Sequence, residues 1–87
     1  MKPLREPVKE DRLVLANLRH QVGLTQQAAA EAVGLKRSMY GAIESGLRAA
    51  DHEQRIQLAQ LYGVSEDSFG ILWQRTRDAR IARLQAR

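Results

Sequence analysis

Apolar side chains along this chain recur every three or four residues and never alternate, which predicts helices throughout and no strands. Val14, Leu15, Leu18 and Val22 form one stripe, and Gly23 closes it. Ala28, Ala29 and Ala30, with Val33 at i+4 from Ala29, form a second stripe of small residues that suits close helix packing before Gly34. Leu35, Tyr40 and Ile43 anchor a third helix, and Ile56, Leu58, Ala59, Leu61 and Tyr62 a fourth that stops at Gly63. Phe69, Leu72 and Trp73 open a fifth, whose stripe continues through Thr76, Arg77, Ile81 and Leu84. The expected fold is all-α, a compact five-helix domain with an extended C-terminal helix.

Start signals agree with this division. Pro7 suits a first helical turn, with Glu10 and Asp11 favourable beside the positive end of the helix dipole. Thr25 is a good N-cap for the second helix, and Asp51 with Gln54 reads as a capping box for the fourth. Ser65 caps the fifth, where Glu66 and Asp67 serve the dipole better than they would serve acid/base chemistry. Gly70 blurs where that helix begins.

The most specific stretch is Gln26 to Ser45, two short helices around a tight turn. Counting Gln26 as position one of twenty, the small fifth residue is Ala30 and the ninth is Gly34. The apolar fourth, eighth, tenth, fifteenth and eighteenth are Ala29, Val33, Leu35, Tyr40 and Ile43. This pattern resembles the helix-turn-helix of the lambda-repressor-like family, also called Cro-like or xenobiotic-response-element-like regulators. Gly23-Leu24-Thr25-Gln26, Ile43-Glu44-Ser45-Gly46 and Leu58-Ala59-Gln60-Leu61-Tyr62-Gly63-Val64 resemble the family's flanks, so the similarity spans roughly Leu15 to Leu72.

The resemblance implies double-stranded DNA as partner, with the third helix in the major groove and its N-terminal residues nearest the base edges. Arg37, Ser38, Met39, Gly41 and Ala42 are then the base-contact positions. Arg37 brings a planar fork that can bond guanine O6 and N7 together, and Gly41 and Ala42 specify by permitting approach. Thr25, Gln26, Lys36, Tyr40, Ser45 and Arg48 are the phosphate-contact positions. Lys36 stands where the family usually has a Ser or Thr cap, and Tyr40 at a usually aliphatic core site, with its ring expected inside and its hydroxyl reaching the surface or a phosphate. Arg19 and Glu44 fall where the family often has an ion pair joining the first helix to the end of the third. The proline common after Arg48 is replaced by Ala49 and Ala50.

Composition narrows the reading. Eighty-seven residues suffice for one small domain. The absence of cysteine excludes disulfides and Cys-ligated zinc. No apolar run approaches the roughly 18 residues of a membrane span, and Met1 to Arg12 lacks a signal peptide's apolar core, so a cytoplasmic protein is expected, and the resemblance implies a bacterial or phage origin. Residues 1–74 carry nine Lys or Arg and nine acids, whereas residues 75–87 carry five arginines against Asp78, so the whole net charge of +4 lies in the tail. Nucleic acid and solvent are both open as the partner of that charge.

The expected organisation is an N-terminal arm over residues 1–6, a DNA-binding domain over 7–73 and a basic helical extension over 74–87. Leu72, Trp73, Ile81 and Leu84 form a candidate dimer seam. The leading expectation is a sequence-specific transcriptional regulator, a dimeric repressor on an inverted-repeat operator. Two alternatives remain: an antitoxin that binds a protein partner through its C-terminal helix, and RNA binding through the arginine tail. An enzyme is not expected, because His20 and His52 are isolated and neither metal-ligand spacing nor a Ser/His/acid set occurs; no metal or cofactor is implied.

Overall fold

A computed structural model describes residues 14–86, and these contain five helices and no strand. They are α1 (Val14–Gln21), α2 (Gln26–Ala32), α3 (Arg37–Glu44), α4 (His52–Tyr62) and α5 (Glu66–Gln85). The arm over residues 1–6 and the start at Pro7 lie outside the described residues. None of the five helices is long and apolar enough to cross a membrane.

Local chemistry sets the boundaries. The Thr25 hydroxyl accepts from the Ala28 amide at 3.0 Å, and Ser65 does the same for Ser68 at 3.0 Å. Asp51 and Gln54 form the reciprocal capping box, with bonds of 2.8 and 2.9 Å. Gly34 turns the chain at φ +71°, and the Leu35 amide then reaches back to the Ala30 carbonyl at 2.8 Å. Lys36 has the extended backbone of an N-cap but makes no side-chain capping bond.

One core joins the helices: Leu15, Ala29, Ala30, Tyr40, Ile43, Ala50, Leu58, Ala59, Tyr62 and Phe69 are all buried. The small Ala29 and Ala30 let α2 lie close to α3, while α5 packs on α1, α4 and the end of α3. Val22, expected in the first stripe, is instead 44% exposed, because α1 ends at Gln21 and Val22 lies in the turn that Gly23 closes. Leu72 and Trp73 pack against the core, so the exposed part of the expected seam is Ile81 and Leu84. Helix α5 runs unbroken through residue 74, carrying the domain's last layer and the arginine-rich extension in one element.

Candidate nucleic-acid interface

Helix α3 is held from one side and bare on the other. Tyr40, Ile43 and Glu44 are buried, whereas Lys36, Arg37 and Ser38 at its start are exposed. Anchoring the helix through its second half leaves the first turn free to enter a groove.

Glu44 is the main anchor. Its Oε2 accepts from Arg19 Nε at 2.7 Å, and its Oε1 accepts from Gln26 Nε2 at 2.6 Å. Arg19 also donates through Nη1 to the Leu24 carbonyl at 2.9 Å. Burial disfavours the Arg19 charge, but the hydrogen bond and field of Glu44 outweigh it and raise the pKa above the ordinary arginine value. One carboxylate thus ties the end of α3 to α1 and to the first residue of α2. The Gln26 amide also lies over Gly41, at 3.9 Å from where a Cβ would stand. Part-buried and bonded inward, Gln26 orients α2 against α3 before it offers anything to a phosphate.

The Tyr40 hydroxyl is turned into the core, away from the surface. Tyr40 is 2% exposed, and its hydroxyl is hydrogen-bonded to that of Tyr62 on α4. A buried phenol needs a partner, and a second phenol on the facing helix supplies it without meeting solvent. Burial pushes both phenols above the usual tyrosine range; their mutual bond raises Tyr40 further and partly offsets the rise at Tyr62. The expected phosphate contact by Tyr40 is therefore replaced by an internal bond that fastens α3 to α4.

The other candidate positions spread around α3. Met39 is half-buried and packs against the core, so less of it faces outward than helical spacing predicts. Gly41 and Ala42 are half-buried, and Ser45 donates its hydroxyl to the Ala42 carbonyl at 3.2 Å. The same carbonyl receives the amides of Leu47 at 2.9 Å and Arg48 at 3.1 Å. This folds the following loop onto the end of α3 and leaves the Arg48 side chain exposed. Thr25, Lys36, Arg37, Ser38 and Arg48 are thus the exposed members of the candidate set.

A sequence profile described as a helix-turn-helix domain matches residues 13–69, most of the chain. The chain belongs to this helix-turn-helix family. Neither a curated protein nor a solved structure matches it. The match covers α1 through the first turn of α5, the arrangement that the resemblance to lambda-repressor-like domains implies. The helix-turn-helix proper is α2 and α3, and the domain is of the DNA-binding class.

Sequence reasoning missed two features of this helix-turn-helix domain. One is the Tyr40–Tyr62 bond, for which two tyrosines at apolar-stripe positions were the available signal. The other is the seat of Gly46 on α5: a Cβ there would lie 2.8 Å from Arg77 Cα and 2.9 Å from its backbone nitrogen. Nothing in local spacing pairs residues 31 positions apart, the separation across which Arg77 Nη1 donates to the Gly46 carbonyl at 3.3 Å.

Proposed function

We propose that this helix-turn-helix domain is a sequence-specific transcriptional regulator that reads double-stranded DNA with the first turn of α3 and represses by occupying a promoter. The observation that carries the reading is the polarity of α3: a buried anchor at Tyr40, Ile43 and Glu44 supports an exposed, cationic start at Lys36, Arg37 and Ser38. Arg37 has the fork for guanine, and Ser38 accepts or donates to several base edges. Thr25 at the open end of α2 and Lys36 and Arg48 on either side of α3 supply backbone contacts that fix the register.

A homodimer supports recognition of an inverted repeat, because two copies of α3 about 34 Å apart enter successive major grooves. Ile81 and Leu84, 37% and 49% exposed, are exposed apolar residues in the second half of α5 and serve for that pairing. Such a seam brings Arg80 and Arg83 of the two copies near one another, so salt that screens them favours the dimer. Nuclease footprinting of the DNA flanking its own coding region tests the proposal. A protected inverted repeat supports it, and uniform, sequence-independent protection counts against it.

A further inference from the structure

Within the basic extension, Arg77 is held by its surroundings. It is half-buried, its guanidinium carbon lies 5.7 Å from the centroid of the Trp73 ring, and its Nη1 donates to the Gly46 carbonyl at 3.3 Å. Trp73 is in turn fixed by packing against the core, with its indole N–H buried and without a hydrogen-bond partner among the described residues. The ring therefore has its face committed to a cation, the arrangement its quadrupole favours. One turn of helix brings the two side chains together on α5.

Beneath this contact the backbones touch. Gly46 adopts φ +81°, and its missing side chain leaves the loop resting directly on Thr76 and Arg77, with the Thr76 carbonyl carbon 3.2 Å from the absent Cβ. Thr76 is fully buried and bonds back to the Leu72 carbonyl at 2.9 Å, so this part of α5 is a firm seat. From Gly46 the chain runs through Leu47 to Arg48, whose amides both end on the Ala42 carbonyl. The loop carrying Arg48 is thus pinned at two points, one on α3 and one on α5.

We infer that Arg77 is a positioning residue for DNA binding: stacked on Trp73 and bonded to Gly46, it holds the loop that presents Arg48 to a phosphate, and does not itself touch DNA. The inference rests on the reading of Arg48 as a backbone contact. It gives Arg77 and Arg48 different roles, since a charge satisfied by an aromatic face and a carbonyl is a clamp, while the exposed Arg48 is a contact.

The test is a double-mutant cycle on affinity for a duplex that the full chain binds, with Arg48→Ala combined in turn with Arg77→Lys and Arg77→Gln. Binding is measured across a salt series, well below each variant's melting temperature, with circular dichroism to verify the fold. Lys keeps the charge but cannot stack and bond as the planar fork does. In the native background both Arg77 variants should weaken binding about five-fold and lower the salt slope by the one contact that Arg48 supplies. In the Arg48→Ala background neither should weaken it further. Emission of Trp73, the sole tryptophan, should shift in Arg77→Gln.

A direct phosphate contact by Arg77 predicts something different: Arg77→Lys near native, and Arg77→Gln weakened equally in both backgrounds. That result overturns the inference, as does a lowered melting temperature with unchanged DNA affinity, or an unchanged Trp73 emission. If Arg48→Ala alone leaves affinity and salt slope intact while the chain still binds DNA, the reading of Arg48 fails, and the role given to Arg77 fails with it. Absence of any DNA binding by the native chain overturns the proposed function itself.

Discussion

The hydroxyls of Tyr40 and Tyr62 bond to each other inside the core, joining α3 to α4. Among the described residues neither hydroxyl has another partner, so removing one leaves the other buried and unpaired. Tyr62→Phe should therefore destabilise the domain by about 1–3 kcal/mol, the cost of an unsatisfied buried polar group. The double variant Tyr40→Phe/Tyr62→Phe should recover much of that loss, because no orphaned hydroxyl remains. Denaturant unfolding of Tyr40→Phe, Tyr62→Phe and the double variant checks the coupling; strictly additive losses would mean that the bond is not the interaction that matters.

The same pair sets the alkaline limit of stability. Both folded pKa values lie above the unfolded tyrosine value of about 10. Below that pH the phenols are protonated in both states and their contribution is complete. As pH climbs from about 10 toward the raised folded values, the unfolded chain releases protons that the folded one retains, and stability falls. Unfolding free energies measured from pH 8 to 11 should decline at the upper end, and less steeply in the double phenylalanine variant.

Breaking the Arg19–Glu44 pair should cost more. With Glu44 5% exposed and Arg19 9% exposed, Arg19→Met strands a carboxylate that Gln26 alone must satisfy. A loss of about 3–5 kcal/mol is expected on removing one partner of a buried pair. Because Glu44 also fixes Gln26 against α3, DNA affinity measured at low temperature should fall even where the variant remains folded. A loss below about 1 kcal/mol would place the pair among surface salt bridges.

The sequence made the helices and the turn legible because those features are local. Apolar spacing located five elements, Gly34 marked the turn, and Asp51 with Gln54 gave a capping box that the structure contains. What was not legible depends on pairing across the chain. Spacing puts the Tyr40 ring in the core but does not locate a partner for its hydroxyl, because that partner, Tyr62, comes from another helix. Val22 shows the opposite failure, a stripe residue that the chain leaves outside by turning at Gly23. Gln26 reads as a phosphate ligand from its place at a helix start, whereas the structure first gives its amide to Glu44.

Gly46→Ala should be disproportionately harmful for so small a change. The added methyl carbon falls on the α5 backbone at 2.8 Å, and the φ of +81° already strains any L side chain. A loss of at least about 2 kcal/mol is expected, from left-handed strain together with overpacking. Differential scanning calorimetry checks it; a melting temperature within a degree of native would show that the loop and α5 separate freely.

Self-association is best tested by point changes, because truncation before residue 76 would delete the fully buried Thr76. Sedimentation equilibrium at low and high salt should show a dimer that strengthens with salt, and Ile81→Gln/Leu84→Gln should remain monomeric with an unchanged helical spectrum. A native chain monomeric at every concentration and salt would remove the two-fold operator from the account.

The most direct measurement of the central claim is selection of binding sites from a random duplex pool by the native chain and by Arg37→Ala. The account predicts an enriched consensus with two inverted half-sites about 34 Å apart. It further predicts that Arg37→Ala loses preference at one base pair in each half-site, a discrimination of about 1–3 kcal/mol, while Arg48→Ala weakens all duplexes alike. Enrichment of no consensus, or of the same consensus with undiminished preference at every position by Arg37→Ala, would contradict the claim that α3 reads sequence through its first turn.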